Sequence, residues 1–453
     1  MKGKVRLFYL LSTILCVICF AGCMPVPRGE QPPEEFRLGE AVVIEGVDVS
    51  RMTISEARDV VEAAAKKRIE NMTLRFMLKD LPEAEAMEKT GDTLPIVPDV
   101  EGALQEASYL TQYKPVGEEE RVIPVIYRLE DTGGHKLATA IQEFFYVPAT
   151  NATASYSRDV EGLFAYTQGE PGRQVEEETI FAYLQDAAEQ AKNATIQLPW
   201  QEISPAYTVE DAMADHQLVA TFTTSYAKSP HNASGRVFNI QKAAGLIDGV
   251  TLQPGEEFDM NATLGPRNGE TGWRTAAGIR DGKYEQEYGG GVCQVSTTLF
   301  NAVMMADLEI TDRRPHSWPL SYVPIGRDAT ISTGGPNFKF VNSSESEVVI
   351  VAQTTKDKKV TVSIYGRPLA DGVSIQISSK QTGTLSSPGT ERLLDASLPY
   401  NTTVEDRKER RGKTSVTYKE YYDADGELIR KETAYEDKYR SIRGRVYVSS
   451  DLY

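Results

Sequence analysis

The stretch GGGVCQVSTTLFNAVMM, residues 289–305, decides how the centre of this chain folds. Apolar side chains recur along it at helical spacing, among them Val292, Leu299 and Met304, which predicts a helix that begins near Cys293. The three glycines before the helix can adopt backbone angles that are closed to other residues. The segment therefore predicts a glycine turn that leads directly into a helix.

A lone thiol lies at the predicted start of this helix. Cys293 is the only cysteine outside the N-terminal leader, because Cys16, Cys19 and Cys23 lie inside that leader or at its edge. The positive end of a helix dipole lowers the pKa of a thiol. With His316 a short way further along, we interpret Cys293 as a candidate nucleophile and His316 as its base. Alternatively, Cys293 is a buried structural cysteine and His316 only hydrogen-bonds a loop.

Other groups around this pair are candidates for supporting roles. The N–H groups of Gly289, Gly290 and Gly291 could stabilise an oxyanion. The same glycines could instead allow a strand to pack closely against the helix. A catalytic base also needs an orienting partner, and either Asp328 or a backbone carbonyl could orient His316.

Two arginines and a serine complete the candidate site. Arg313 or Arg327 could bind a substrate carboxylate through two parallel hydrogen bonds, although either could equally be a structural ion-pair partner. Ser296 is expected to cap or line the start of the helix. One cysteine and one nearby histidine do not make a zinc site, so neither a metal nor another cofactor is expected.

The N-terminus predicts export. A basic front precedes an apolar run at residues 7–22, which is short for a membrane span. The sequence FAGC at residues 20–23 resembles the bacterial lipobox, so residues 1–23 are interpreted as a lipoprotein signal peptide and Cys23 as the lipidation site. Phe20 stands where leucine is usual, which leaves an uncleaved signal anchor as the alternative. Either way, the protein is expected at the extracytoplasmic face of a bacterial cell membrane.

Charge limits the partners. The chain has 453 residues and a formal net charge of −16 at pH 7. Nucleic-acid binding depends on neutralising phosphates with Lys and Arg, so no nucleic-acid partner is expected. The same charge disfavours adhesion to anionic lipid head groups, which leaves membrane attachment to the N-terminal anchor.

The length predicts several domains. Proline and charge in residues 24–37 predict an extended linker. Residues 38–118 and 119–212 each combine extended segments with helices, so we interpret them as two small α+β modules. In the first module, Thr53 and Glu56 have the spacing of a helix capping box.

The last part of the chain has a different pattern. Strand-like runs flank Asp425-Gly426, a dipeptide typical of hairpin turns, and another such run lies near residues 443–449. Residues 367–453 are therefore predicted to form a β-rich C-terminal module. We expect this module to serve as a binding module or a spacer and to have no catalytic residues.

A series of motifs lies in order between about residue 220 and residue 366. They are Asn239-Ile240, Gly249 with Pro254 to Phe258, Gly265-Pro266-Arg267, Gly289 to Leu299, Arg313, His316-Ser317, Tyr322-Val323-Pro324 and Gly326 to Thr330. Together they resemble the VanW family, which implies a mixed α+β VanW core at residues 213–366. The family takes its name from a resistance gene cluster and not from a reaction.

The flanking modules carry resemblances of their own. Before the core, Gly46 to Ala57 and then Thr167 to Val175 with the following helix resemble peptidoglycan-binding repeats found beside some cell-wall transpeptidase domains. Alternatively, these residues form a spacer of generic α+β modules. The C-terminal module resembles the strand-rich, glycine-containing adhesion modules that often follow VanW domains. The expected fold class is thus multidomain α+β: two small α+β modules, the VanW core and the β-rich module.

A cysteine and histidine beside wall-binding repeats favour acyl transfer on peptidoglycan stem peptides. The thiolate would attack the carbonyl before the terminal D-alanine, and the amine of a neighbouring stem would resolve the thioester. This is the L,D-transpeptidation of YkuD-type enzymes, although their Ser-His-Gly-Cys signature is absent from this sequence. Two alternatives stay open: hydrolysis of stem peptides by the same pair, and a non-catalytic wall-binding or assembly lipoprotein.

Overall fold

A computed structural model describes residues 33–81, 86–114, 120–227, 229, 233–280 and 283–453. The predicted signal peptide with Cys23, and most of the predicted linker, lie outside these residues. The eight helices among the described residues are α1 Ile54–Glu70, α2 Val100–Tyr113, α3 Asp131–Phe145, α4 Glu177–Gln190, α5 Val209–Asp215, α6 Ser234–Ile247, α7 Met260–Leu264 and α8 Val292–Met305.

The strands are short in the first half of the chain and longer in the second. They are β1 Val42–Ile44, β2 Val47–Asp48, β3 Thr73–Leu78, β4 Met87–Thr90, β5 Ile96–Asp99, β6 Arg121–Ile123, β7 Ile126–Leu129, β8 Thr153–Tyr156, β9 Phe164–Thr167, β10 Gly172–Gln174, β11 Ala194–Leu198, β12 Gln201–Ile203, β13 Gln217–Ser225, β14 Val250–Leu252, β15 Glu257–Asp259, β16 Thr275–Arg280, β17 Lys283–Tyr288, β18 Glu309–Asp312, β19 Lys339–Val341, β20 Val348–Thr354, β21 Lys359–Gly366, β22 Ser374–Thr384, β23 Thr390–Leu394, β24 Thr403–Arg407, β25 Lys413–Tyr422, β26 Leu428–Tyr439 and β27 Gly444–Val448.

The chain divides into two compact units. The first comprises the described residues up to Ala149 together with Pro171–Ser204, and the second comprises Thr150–Glu170 and Pro205–Tyr453. Helices and strands occur in both units, which confirms the predicted multidomain α+β class. In the part of the chain that the structure describes, no helix has the length and apolar character of a membrane span.

The first unit is built from small sheets and amphipathic helices. Helix α1 begins with the predicted capping box: the Thr53 hydroxyl accepts from the Glu56 N–H at 3.2 Å, and the Glu56 carboxylate accepts from the Thr53 N–H at 2.9 Å. Strand β3 pairs in parallel with β11 and antiparallel with β4. Strand β6 pairs in parallel with β1, so strands from both predicted N-terminal modules share one sheet. The boundaries of these modules stay a prediction.

The second unit contains the predicted glycine turn and its helix. Strands β13, β21, β20 and β14 form an antiparallel sheet in that order, and α8 packs against β13 and β21. Residues 294–304 of α8 are all buried. A helix that is buried all round must satisfy its polar groups internally. Asn301 does so by donating to the carbonyl oxygens of Thr297 and Arg327, each at 2.8 Å.

The C-terminal strands pack in the same unit as α8. Sheets β22-β25-β26 and β23-β27-β24 follow the central sheet, and the predicted hairpin at residues 425–426 joins β25 to β26. Ile375 and Tyr421 belong to one hydrophobic cluster with Leu299 and Phe300 of α8. Residues on both sides of the predicted boundary at 366 therefore lie in one compact unit. This packing brings the end of the chain to the candidate site.

Candidate functional site

The glycine turn is required by the space around it. Gly291 is the N-cap of α8 with φ 108°, and Gly289 has φ 80°, both in the left-handed region that favours glycine. A Cβ on Gly290 would lie 2.5 Å from the carbonyl oxygen of Ala276. The backbone can therefore pass close to β16 and turn into α8, which begins one residue before Cys293 as predicted.

Cys293 lies in the first turn of α8 and is half-buried. Its Sγ is 3.4 Å from the Ile331 carbonyl oxygen and 3.9 Å from the Thr330 hydroxyl. Burial alone would raise the pKa of this thiol. Hydrogen bonding and charge from His316 outweigh burial, so the pKa of Cys293 is lowered. The thiolate is thus the favoured form over a wider pH range than for an ordinary cysteine.

His316 is buried between the thiol and a carboxylate. Its Nδ1 lies 2.7 Å from Asp328 Oδ2, and the same oxygen accepts from the His316 backbone N–H at 2.6 Å. Burial would lower the pKa of the imidazole, but Asp328 and Cys293 raise it to about 9. Burial would raise the pKa of Asp328, but hydrogen bonds and charge from His316 hold it at about 2. The structure therefore brings Cys293, His316 and Asp328 together, with Asp328 in the orienting position.

Strand β26 adds a further residue, Tyr439, to this arrangement. The sequence did not predict this residue. The Tyr439 hydroxyl donates to Asp328 Oδ1 at 2.5 Å and accepts from the Gly326 N–H at 2.8 Å. Burial, then Asp328, raises the pKa of Tyr439, so its hydroxyl stays protonated as a donor. Nothing local in the sequence around Tyr439 marks this role, because 111 residues separate it from Asp328.

Arg313 and Arg327 both contact other parts of the protein. The Arg313 side chain is only 2% exposed and its Nη1 donates to both oxygens of Asp437, at 2.6 and 2.8 Å. Arg327 donates to Asn301 Oδ1 at 2.7 Å and to the Ile377 carbonyl at 2.9 Å. Neither lines the cavity above the thiol, which favours the structural alternative for both.

Ser296 and two of the three glycine N–H groups form hydrogen bonds within the protein. The buried Ser296 hydroxyl donates to the carbonyl oxygen of Ala329 at 2.7 Å, which ties α8 to the segment after Asp328. The N–H groups of Gly289 and Gly290 donate to other carbonyls, at 3.1 and 3.4 Å. Within the described residues, no partner is found for the N–H groups of Gly291 and Cys293. These two N–H groups are the ones we propose as oxyanion donors.

A cavity of about 1070 Å³ opens over Cys293 and His316. Glu287 is the one carboxylate among its described lining residues. Six cationic residues also line it: Arg236, Arg267, Arg314, Arg410, Lys438 and Arg440. Among the described residues, none of the six forms an ion pair with a carboxylate. An excess of unpaired cations in a chain of net charge −16 indicates an anionic ligand.

Across the described ranges, no group of three His, Cys, Asp or Glu side chains is arranged to hold a metal ion.

Comparison with known proteins supports the central resemblance. Residues 235–365 match the family model described as VanW like protein. The uncharacterized protein YoaR of Bacillus subtilis is 37% identical over 161 residues, which cover 35% of this chain and 52% of YoaR. The vancomycin B-type resistance protein VanW of Enterococcus faecalis is 29% identical over 156 residues, which cover 32% of this chain and 56% of that protein. This confirms the predicted VanW resemblance, and the chain spans about half the length of both relatives.

Outside the matched segment the comparisons add little. They do not confirm the repeats predicted before residue 213. The crystal structure of HP0197-G5 covers 17% of this chain and 95% of its own at 16% identity, with a TM-score of 0.11. That score carries no inference about this fold.

Proposed function

We propose that this chain, which carries a VanW-like domain, is a cysteine-dependent acyltransferase that acts on peptidoglycan stem peptides. The observation that carries the proposal is the Cys293–His316–Asp328 arrangement at a cation-lined cavity. A thiolate, an adjacent imidazolium and an orienting carboxylate are the parts that acyl transfer through a thioester needs. The name of the relative associated with vancomycin resistance supports a cell-wall setting.

The first half-reaction forms the thioester. The Cys293 thiolate attacks the carbonyl carbon that joins the third stem residue to the terminal D-alanine. The oxyanion accepts hydrogen bonds from the N–H groups of Gly291 and Cys293, at the positive end of α8. When the C–N bond breaks, the departing amine takes the proton of the His316 imidazolium. D-Alanine leaves, and the acyl group stays on Sγ.

The second half-reaction releases the acyl group. The side-chain amine of a neighbouring stem attacks the thioester carbonyl and gives a proton to His316, which Asp328 holds in the orientation needed to accept it. The C–S bond breaks, the thiolate returns, and an L,D cross-link has formed. Water in place of the amine would give hydrolysis by the same route. The cavity's open approach to the thiol is compatible with either acceptor.

The location is part of the same proposal. A lipid on Cys23 would hold the chain at the outer face of the cell membrane, and the linker predicted at residues 24–37 would give it reach. The modules predicted before residue 213 would bind peptidoglycan beside the catalytic unit. Neither the lipid nor the modules is needed for the chemistry at Cys293.

Mass spectrometry of disaccharide-tetrapeptide incubated with the full-length chain tests the activity. We expect released D-alanine and a cross-linked dimer, together with an acyl adduct on Cys293 at short times. A Cys293→Ser variant retains the size of the side chain but lacks the thiolate at neutral pH, so all three products should disappear.

The other outcomes separate the remaining functions. D-Alanine release without a dimer would replace the transferase with a stem-peptide hydrolase. No product from a folded wild type, with retained binding to isolated peptidoglycan sacculi, would overturn catalysis in favour of a wall-binding lipoprotein. Sedimentation with sacculi measures that binding directly.

A further inference from the structure

Three of the arginines that line the cavity each have a buried nitrogen without a hydrogen-bond partner: Arg236, Arg267 and Arg410. The Arg410 guanidinium lies over the Trp318 ring, whereas the other two lie beside the glycine turn. Arg236 Nη2 donates to Gln294 Oε1 at 2.9 Å, while its Nε is buried without a partner. Arg267 Nη2 donates to Asn261 Oδ1 at 2.9 Å, while its Nη1 is buried without a partner. Buried donors of this kind are rare in folded proteins and call for an explanation.

Both arginines pack directly against the turn that precedes the nucleophile. A Cβ on Gly291 would lie 3.0 Å from Arg236 Cγ and 3.2 Å from its Nη1. A Cβ on Gly289 would lie 3.0 Å from Arg267 Cδ. The glycines therefore leave room for the two side chains beside Cys293. Both guanidinium groups therefore line the same cavity as Cys293, and the charge of Arg267 interacts with that of the thiolate.

Their charge is only partly balanced by the protein. Burial lowers the pKa of Arg267, while the charges of Cys293 and Glu287 raise it. Neither guanidinium forms an ion pair with a carboxylate among the described residues. Placing cations in a partly buried site without ion-pair partners costs free energy, which an anionic ligand recovers on binding. The planar fork of arginine matches a carboxylate in particular.

We propose that Arg236 and Arg267 form a carboxylate subsite for the free α-carboxylate of the residue that leaves during acylation. This inference rests on the proposed function and specifies its substrate class: a peptide that ends one residue beyond the scissile carbonyl. The subsite makes the site selective for chain ends, because an internal peptide bond has no carboxylate at that distance. It also orients the scissile carbonyl toward Sγ.

Two alkylating agents test the subsite without any turnover. Iodoacetate and iodoacetamide both react with a thiolate by displacing iodide, but only iodoacetate carries a carboxylate. The ratio of the iodoacetate rate to the iodoacetamide rate at Cys293 therefore does not depend on the thiolate fraction. It measures how strongly the site attracts the carboxylate of iodoacetate. For the full-length chain in detergent we expect a ratio above that of free cysteine. Arg267→Gln should lower it about tenfold, the order expected for one lost charge-assisted hydrogen bond.

Arg314→Gln is the matched control, because it removes one charge from the same cavity without touching either unpaired nitrogen. We expect it to change the ratio by less than about twofold, since exposed charges are screened. An equal fall in both variants would overturn the subsite in favour of a diffuse positive potential. The iodoacetamide rate itself detects a misfolded variant, since an unfolded thiol would react as free cysteine does.

The same labelling identifies which carboxylate is bound. A stem tetrapeptide with a free C-terminus should protect Cys293 from iodoacetamide at concentrations at least about tenfold below those of its C-terminal amide. Equal protection would assign the subsite to a carboxylate on the acyl side and overturn the selectivity for chain ends. If Cys293 reacted with both reagents no faster than an ordinary, unactivated cysteine, the proposed function would instead be refuted. The two failures are thus distinguishable.

Discussion

Replacing Asp328 by asparagine should deactivate Cys293 without removing the thiol. Asp328 contacts His316 twice, at 2.7 Å through Nδ1 and at 2.6 Å through the backbone N–H. An amide keeps the shape of the carboxylate but cannot balance the charge of an imidazolium. Burial would then dominate and lower the pKa of His316. The thiolate loses its cationic partner, so the pKa of Cys293 rises.

The size of the effect follows from the populations at pH 7.5. With a pKa of about 9, His316 is protonated in about 97% of molecules, whereas the ordinary pKa of 6.5 gives about 10%. The imidazolium that stabilises the thiolate becomes about tenfold scarcer. We therefore expect the rate of alkylation by iodoacetamide at this pH to fall at least about tenfold.

The pH dependence provides a sharper signature than a single rate. The pKa of Cys293 is lowered, so its thiolate persists as the pH falls below 9.0. The imidazolium is lost as the pH rises through about 9. The thiolate–imidazolium pair is present from the lowered pKa of Cys293 up to about pH 9, and wild-type alkylation should stay nearly constant over that range. In Asp328→Asn the rate should instead climb with pH toward 9.0 and above.

Rates are measured by mass spectrometry of the labelled peptide from pH 5 to 10, with the exposed Asp357→Asn as the matched control. The control should keep the wild-type profile, because its exposed carboxylate interacts with Lys359 and Thr355 and not with His316 or Cys293. If Asp328→Asn retained that profile while folded, the assignment of Asp328 as the partner that charges His316 would be wrong.

Three further substitutions test the packing that supports the site, each by urea unfolding. Tyr439→Phe removes a buried hydroxyl with two partners and should cost about 1–3 kcal/mol. It should also slow alkylation, but less than Asp328→Asn does. Gly290→Ala drives a Cβ to 2.5 Å from the Ala276 carbonyl and should cost about 1–3 kcal/mol or more. Arg313→Gln leaves Asp437 as a buried, unpaired carboxylate and should cost about 3–5 kcal/mol.

Each substitution has a control in the second unit. Tyr400 is 84% exposed, so Tyr400→Phe should leave stability unchanged. A Cβ on Gly245 meets nothing within 4 Å, so Gly245→Ala should stabilise α6 by about 0.5–1 kcal/mol. Lys359→Gln breaks an exposed ion pair and should cost less than about 1 kcal/mol. A control as damaging as its partner would contradict the burial argument for that position.

The local parts of the site could be predicted from the sequence. Helical spacing placed the start of α8, and the glycines before Cys293 indicated the turn. His316 and Asp328 lie within a short distance of one another along the chain, so a motif could suggest both. Such features depend on backbone conformation and on neighbours in sequence, which a single chain displays directly.

The rest depends on packing between distant segments. Arg313 lies close to His316 in sequence, yet its side chain forms an ion pair with Asp437 on β26. Arg267 looks like part of a loop motif, and only the folded unit shows it beside Cys293 with an unpaired nitrogen. Sequence spacing says that an arginine is near the motif. It does not show whether that arginine already forms an ion pair with a carboxylate from a distant part of the chain.

The charges at the centre of the site explain why distant residues are involved. Asp328 and Asp437 carry two negative charges, and Arg313 and the His316 imidazolium carry two positive ones, so the buried group is neutral. A thiolate at Cys293 adds one negative charge that this group does not balance. Buried charges need nearby partners, and the cationic cavity lining supplies them.

Acylation of Cys293 changes this charge balance. When Sγ becomes a neutral thioester, the negative charge beside the lining arginines disappears, and their affinity for another anion increases. In the carboxylate subsite we propose, the leaving residue keeps its carboxylate bound while its amine takes the proton from His316. His316 is then neutral and ready to accept a proton from the incoming amine. Release of the first product must precede that step, because both amines need the same position beside the imidazole.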